Sequence, residues 1–421
     1  MFDKVLMAFK LSDLRKKVLF VLAILVIFRL VAAIPVPGVD PGRLKDFLAG
    51  NQFFGLLNIF SGGVLENLSV VMLGVGPYIT ASIIMQLLTM IFPRLKEMYH
   101  EEGEAGRAKF NQYSRLLTVP LAMLQAYALL VILIRQQILP SLDAFGYVTS
   151  MITVSAGTIF LMWLGELISE KNIGNGISLL IFAGIVSRLP VDFRQALLTF
   201  EPSQIPVYLA FAIVGIMVVT GVVIITEGQR NIPVSYAKRI RGPRVFGGIE
   251  THLPLRVNQA GVIPIIFAIS IILFPGLVGS FLATIPNPVV EAISQFLIQL
   301  LNNRWLYGLL YFFLVFLFTF FYTAVTFDPQ AIASNIQKQG GFILGMRPGR
   351  PTAEFLYRIL NRITLFGAIF LGAIAVLPLA VQAGFGIQAF TLGGTSLLIV
   401  VSVVLETLKQ INAQLVMHEY E

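Results

Sequence analysis

Apolar runs separated by short polar or glycine- and proline-rich stretches dominate the chain from residue 18 onward. Charge-free windows locate the elements, because a charge at the centre of a bilayer costs roughly 2.5–3.5 kcal/mol even on the lenient insertion scale. Ten windows read as membrane-spanning helices: residues 18–34, 75–92, 116–134, 147–165, 176–187, 207–226, 257–277, 306–327, 363–381 and 395–405. The fifth is short for a hydrocarbon core about 30 Å thick and borrows residues from Gly174 onward. Between Arg362 and Glu406 there is no charge at all, enough length for two spans. Pro378, Gly384, Gly386 and Gly393-Gly394 mark the turn between them.

One stretch fits neither template: residues 61–93 are too long for one span and too short for two. It opens with Gly62-Gly63 and continues as a short, half-polar helix pattern through Glu66, Asn67 and Ser69. Gly74-x-Gly76-Pro77 then interrupts it before the apolar run 78–92. Non-helical backbone at membrane depth is tolerated only where it is buried in protein or lines a watery cavity. A broken hydrophobic segment therefore points to a pathway or a binding site.

Composition places the whole chain in one class. Of 421 residues, 57% are hydrophobic and only 12% charged, against about 25% charged in soluble domains. The fold class is an all-α polytopic membrane protein. There is no cysteine, which excludes disulfide and thiol chemistry. The basic start and apolar run of residues 1–34 imitate a signal peptide. They lead into Ile34-Pro35-Val36-Pro37-Gly38 with no small-x-small cleavage pattern, so a retained first span is expected. With the N-terminus inside, 23 of the 30 Lys and Arg fall on the cytoplasmic side, which places both termini there. Ten spans divide into five and five, residues 1–190 and 191–421. An odd number per half makes the second run opposite to the first, as in inverted repeats around a midplane pathway.

Two cytoplasmic loops are long. Residues 227–256 hold six basic and two acidic residues, interleaved with Tyr236, Phe246 and His252. Residues 328–362 hold five basic and two acidic, with the turn Gly345-Met346-Arg347-Pro348-Gly349. Charge alone fits positive-inside topology and anionic lipid contact. Connections beyond roughly 12–15 residues are usually functional or disordered, and these contain enough apolar residues to pack into projecting hairpins. An acidic partner such as RNA or a motor protein suits them.

Catalytic constellations are missing. His100, His252 and His418 all lie in cytoplasmic segments without metal-ligand neighbours. No nucleophile elbow, zinc-protease or phosphate-loop motif occurs, so an enzyme is not expected, no cofactor is implied, and energy must come from a partner or an ion gradient. Arg29 lies five residues from the outer end of the first span and is expected to snorkel outward; Glu166 and Glu406 sit at cytoplasmic span ends. Carboxylates at mid-span are lacking, which weakens ion coupling. Thr80, Gln86, Gln125 and Asn258 are candidates for interhelical hydrogen bonds. Val75 with Ile79, and Ile177 with Ile181, stand one turn apart on single faces. Such pairs are ordinary core, or, converging from several spans, a dewettable constriction.

Six stretches together resemble the SecY family, the large subunit of the protein-conducting translocon. They are FRLVAAIPVPGVD, IFSGGVLENLSVVMLGVGPYITASIIMQLL, FLMWLGELISEKNIGNGISLLIFAGIV, EGQRNIPVSYAKRIRGPRVFGGIETHLPLRVNQAGVIP, GMRPGRPTAEFL and LGGTSLLIVVSVVLE. The resemblance implies two five-span halves closing like a clamshell around an hourglass pore. Val75, Ile79, Ile177, Ile181, Ile266 and Ile399 would form its apolar ring. Ser61, Gly62, Gly63, Val64, Leu65, Glu66, Asn67, Leu68, Ser69, Val70, Val71, Met72 and Leu73 would form a plug helix closing the outer funnel. A lateral gate would open between spans two and three and spans seven and eight, with Thr80, Gln125 and Asn258 as its polar cluster. Lys238, Arg239, Arg241, Arg244, Arg347 and Arg350 fall in the loops that engage the ribosome or the SecA motor; the family pattern has another basic residue beside Arg244, where this chain has Pro243. Implied partners are the small subunits SecE and SecG, SecA, the ribosome, signal sequences, nascent polypeptides and anionic lipids, at the bacterial plasma membrane. The expected function is passage of unfolded polypeptide across the membrane and sideways release of hydrophobic segments. A secondary transporter of a small solute is the alternative, and a lipid flippase would need headgroup-binding charges along a groove, which the sequence does not offer.

Overall fold

Every predicted span coincides with one helix in a computed structural model, which describes residues 11–36, 58, 61, 63–65, 68–135, 137–140, 142–198, 205–236, 239–241, 244–246, 250–283, 285, 287–385 and 393–419. In chain order the helices are α1 (Ser12–Ala32), α2 (Gly76–Ile91), α3 (Pro93–His100), α4 (Gly103–Arg135), α5 (Ala144–Ser169), α6 (Gly176–Leu198) and α7 (Ile205–Glu227). Strands β1 (Gln229–Tyr236), β2 (Arg239–Arg241), β3 (Arg244–Phe246) and β4 (Glu250–Arg256) follow. Then come α8 (Ile263–Leu282), α9 (Pro288–Asn302), α10 (Arg304–Thr326), α11 (Pro329–Lys338), β5 (Gly341–Ile343), α12 (Arg350–Phe385) and α13 (Gly393–Glu419). Six described helices are long and apolar enough to cross a bilayer, or seven if the bent pair α2–α3 counts as one span. The apolar stretches 176–191 and 263–276 are shorter.

Three boundaries differ from the sequence reading, each for a local reason. The seventh span begins at Ile263 instead of Val257. Val257 N–H donates to Gly228 O (2.8 Å) to close the strand pair. Asn258 Nδ2 then donates to Gly261 O (3.1 Å) across a turn in which Gly261 has φ +62°. Pro378 and Gly384 do not end the ninth span, because α12 runs through both to Phe385; buried neighbours make an interior proline tolerable in membrane helices. The second span stops at Ile91 because Phe92 must be extended before Pro93. The chain restarts there as α3, bent by 115°.

The two long loops fold as one unit. β1 pairs antiparallel with β4 (Gln229↔Arg256 to Ser235↔Glu250) and with β5 (Val234↔Ile343), in the order β4-β1-β5. Ile232, Val234, Leu255, Ile336, Ile343, Leu356 and Ile359 pack beneath the sheet, so the alternation in β1 fits a strand with one buried face. β2 and β3 extend it as a separate ribbon.

A single hydrophobic cluster joins the spanning helices. α13 packs against α7; α8 packs against α2 and α4, and α13 against α6, so chain from both sides of residue 190 meets along two seams. Ion pairs brace one end: Arg115 with Glu166 (2.6 Å) between α4 and α5, and Lys409 with Glu227 (2.9 Å) between α13 and α7.

Candidate functional site

Four helices deliver the six aliphatic residues singled out above to one cluster. Val75 is the N-cap of α2 and Ile79 lies one turn on, its N–H donating to Val75 O (3.1 Å). Ile177 and Ile181 are on α6, Ile266 on α8 and Ile399 on α13. Val75, Ile79, Ile181, Ile266 and Ile399 are buried, and Ile177 packs partly buried against them. Gly165 on α5 lies against Ile177 and sets this part of α6 close to its neighbour. Phe28, Ser61, Val75, Leu161, Leu180 and Ile181 line a small cavity at this point. A surface of aliphatic carbon offers no hydrogen bond or charge to a solute; what it can do is exclude water and ions.

Against this cluster lies the segment 61–73, and its conformation departs from expectation. The sequence reading predicts a half-polar helix. The described residues instead form tight turns, closed by Leu68 N–H to Leu65 O (3.0 Å), Met72 N–H to Ser69 O (2.9 Å) and Gly74 N–H to Val71 O (2.8 Å). Positive φ at Gly63 (+77°), Leu68 (+40°) and Gly74 (+59°) confines any right-handed helical run to the short stretches between them, and Leu65 lies in a 3₁₀ turn. Gly74 is required twice over, since a Cβ there would also come within 2.7 Å of Ser61 Cα. Gly62, Glu66 and Asn67 lie outside the described residues. Val64, Leu65, Leu68, Val71 and Met72 are at most 1% exposed, so the described part is apolar and seated. Val36 N–H donates to Leu68 O (2.8 Å) and Val70 N–H to Ile34 O (3.0 Å), tying the segment to the end of α1. Ser61 Oγ donates to Asn58 O (2.9 Å). Gly157 on α5 presses on the Val70 carbonyl, leaving no room for a side chain.

Arg29 corrects a second expectation. It does not snorkel outward: its Nη2 donates to Gly184 O (2.9 Å) and Ala183 O (3.4 Å) on α6, and its guanidinium lies 5.5 Å from the Phe28 ring centre. Backbone carbonyls replace water at that depth. Glu166, at its span end, is paired with Arg115.

The three polar candidates belong to three segments: Thr80 to α2, Gln125 to α4, and Asn258 to the turn before α8, a helix that packs against α2 and α4. Thr80 Oγ1 donates to Gly76 O within α2 (3.1 Å). Gln125 is buried on α4. Asn258 is buried at the entry to α8 with its Oδ1 unpartnered. Among the described residues no hydrogen bond joins the three directly. At the other end of α8, Arg135 Nη1 donates to Ala283 O (2.7 Å), so the end of α4 caps the end of α8.

On the opposite face, Arg239, Arg241 and Arg244 lie in the β2–β3 ribbon, with Arg241 directly across from Arg244 in the register. Lys238 lies outside the described residues. Arg347 is exposed four residues beyond β5, between Gly345 (φ +80°) and Gly349 (φ +97°). Arg350 opens α12 and pairs with Glu354 (3.3 Å). Among the described residues, no group of three His, Asp or Glu could hold a metal ion.

Sequence reasoning missed Phe28, Leu161, Leu180 and Arg135. Each looks like ordinary span sequence, and only its neighbours in space single it out.

The SecY family model matches residues 69–408. The protein translocase subunit SecY of Corynebacterium glutamicum is 45% identical over 438 residues, covering 99% of this chain and 98% of its own. That of Streptomyces coelicolor is 46% identical over 431 residues, covering 98% of each. Among solved structures, a protein-conducting channel superposes with a TM-score of 0.67 at 22% identity, covering 94% of this chain and 91% of its own. Sec61 in the canine ribosome-channel complex from the endoplasmic reticulum gives 0.63 at 22% identity, with the same coverage; at that identity the likeness is one of fold.

Proposed function

The chain belongs to the SecY family, and from that membership we infer how its buried aliphatic cluster works. It is a multi-pass membrane protein of the ten-span fold and the channel-forming subunit of a protein translocase. It conducts unfolded secretory polypeptides across the membrane and releases transmembrane segments sideways into lipid. It is a channel, not an enzyme. The small-solute transporter is set aside, because relatives matching nearly end to end are translocase subunits.

We propose that Val75, Ile79, Ile177, Ile181, Ile266 and Ile399 are the constriction. The observation that supports this is that five of these residues, on α2, α6, α8 and α13, belong to the same buried hydrophobic cluster as Val64, Leu65, Leu68, Val71, Met72 and Leu73, and Ile177 packs against that cluster. A pore that admits any sequence cannot rely on specific ligands; flexible aliphatic side chains fit around a passing chain and shut out water between passages. Segment 61–73 is the plug, held by backbone bonds to residues 34–36 and by burial of its apolar residues. Residues 1–190 and 191–421 are the two halves. The α2/α4 to α8 seam is the lateral gate, supported by its apolar character: lipid tails replace such contacts at little cost, so few bonds such as that of Arg135 to Ala283 O hold it shut.

SecA and the ribosome dock on the sheet unit. The excess of basic over acidic residues in loops 227–256 and 328–362 suits an acidic partner. SecE and SecG complete the complex, anionic lipids meet the basic face, and signal sequences enter through the gate. The protein resides in the bacterial plasma membrane with both termini cytoplasmic, supported by the excess of Lys and Arg on that side.

The chain has no cysteine, so single cysteines at Ile79 and Ile181 give a clean test. Each should crosslink to a secretory chain stalled in transit, whereas a cysteine at lipid-facing Leu309 should not. Equal crosslinking at all three, or none, overturns the constriction.

A further inference from the structure

Helix α9 has three faces where an ordinary surface helix has two. At 100° per residue, Val290, Ser294 and Leu297 form one sector, partly or fully buried against the protein. Ser294 Oγ donates to Gly279 O of α8 (2.7 Å) there. Glu291, Gln295 and Gln299 form a second, exposed and polar, with Gln295 Nε2 donating to Glu291 Oε1 (3.4 Å). Val289, Ile293 and Phe296 form the third, apolar yet 66%, 48% and 64% exposed. The sector centres stand roughly 100–130° apart.

The attachments of α9 fix where it lies. Residues 283–287 join it to the end of α8, and Asn303 alone joins it to α10. It is therefore held at the level where two spans end, on the side away from the sheet. The neighbouring surface of α10 is itself apolar and exposed, at Leu306, Leu309 and Phe313, and begins with Trp305, 82% exposed. Tryptophan at a span end is the residue enriched at the bilayer boundary. There is no Lys or Arg in α9, so attraction to anionic headgroups does not explain the exposed face.

We propose that α9 lies in the membrane interface, with Val289, Ile293 and Phe296 in the upper acyl chains of the bilayer and Glu291, Gln295 and Gln299 in water. One face for protein, one for lipid and one for water accounts for all three sectors, and the lipid face continues the lipid-facing surface of α10. An interfacial helix buries its apolar side about 5–10 Å into the boundary. Since α9 also grips α8, which packs on α2 and α4, it gives the outer end of that seam a purchase on the bilayer. The placement depends on the membrane-spanning fold and not on which polypeptide or motor the channel serves.

The test uses the full chain in liposomes. Ile293→Cys and Gln295→Cys, each carrying an environment-sensitive fluorophore, are compared in lipid brominated high on the acyl chain. The label at 293 should be blue-shifted and quenched at least threefold more than the label at 295. Equal quenching at both sites, or none at 293, overturns the proposal. A blue-shifted but unquenched label at 293 also overturns it, as the mark of a protein covering that face. Trp163→Phe leaves Trp305 as the sole indole, and the same lipid should quench it without any label. Failure there, with the protein folded, counts equally against interfacial placement.

Discussion

Individual residues decide how tightly the pore is sealed and how readily it opens. Ile181 is 2% exposed and lines the cavity beside Ser61 and Val75. Replacing Ile79 and Ile181 together by serine puts hydroxyls into the proposed constriction and should raise ion conductance in planar bilayers severalfold. Unchanged conductance would remove these two from the seal. Truncating a buried isoleucine costs about 2–5 kcal/mol, so folding is checked by thermal melting alongside. Arg135 offers the complementary case at the seam. Its bond to Ala283 O is short but exposed, so losing it costs at most about 1 kcal/mol, close to a fivefold shift toward the parted seam. Arg135→Ala should therefore increase export of a reporter carrying a weakened signal sequence. Reduced or unaltered export would show that the bond is no clasp. The aliphatic pairs were legible in the sequence from their spacing, and Arg135 was not, because a backbone carbonyl 148 residues away leaves no mark on local pattern.

At the level of elements, the segment 61–73 carries the sharpest difference between pattern and structure. A half-polar pattern through Glu66, Asn67 and Ser69 suggested a helix, but three left-handed positions and the bonds to residues 34–36 make most of the described part a series of linked turns. Removing residues 61–73 should raise ion leak in planar bilayers, and an unchanged leak would argue against a stopper. Gly157→Ala reaches the same question without a deletion. The added methyl would press on the Val70 carbonyl, so the segment must shift, and leak should rise to a level between those of the unaltered and deleted chains. Helix α9 escaped the window reading for a related reason. It is apolar on part of its surface only, and a count of charge-free residues is blind to which side of a helix they occupy.

The whole molecule joins a membrane-embedded cluster to a basic sheet unit by way of α8 and α12, and each part should fail separately. Arg347→Glu reverses an exposed charge in the turn after β5. It should impair translocation driven by a motor or ribosome while leaving expression, melting and ion leak unchanged; normal translocation would exclude Arg347 from docking. What the sequence determined by itself was the approximate place and the membrane-spanning character of the long apolar helices. Hydrocarbon imposes length and charge-freeness on each span independently, so those features are local. The basic loops were equally visible. Only the tertiary structure decided which distant residues share a cluster, a sheet or a bond. It brought Val75, Ile79, Ile177, Ile181, Ile266 and Ile399 to one cluster, added β5 from one loop to the sheet of the other, turned Arg29 inward to α6 and left one face of α9 bare. Those outcomes depend on contacts between elements far apart in the chain, and local periodicity holds no information about partners at such distances.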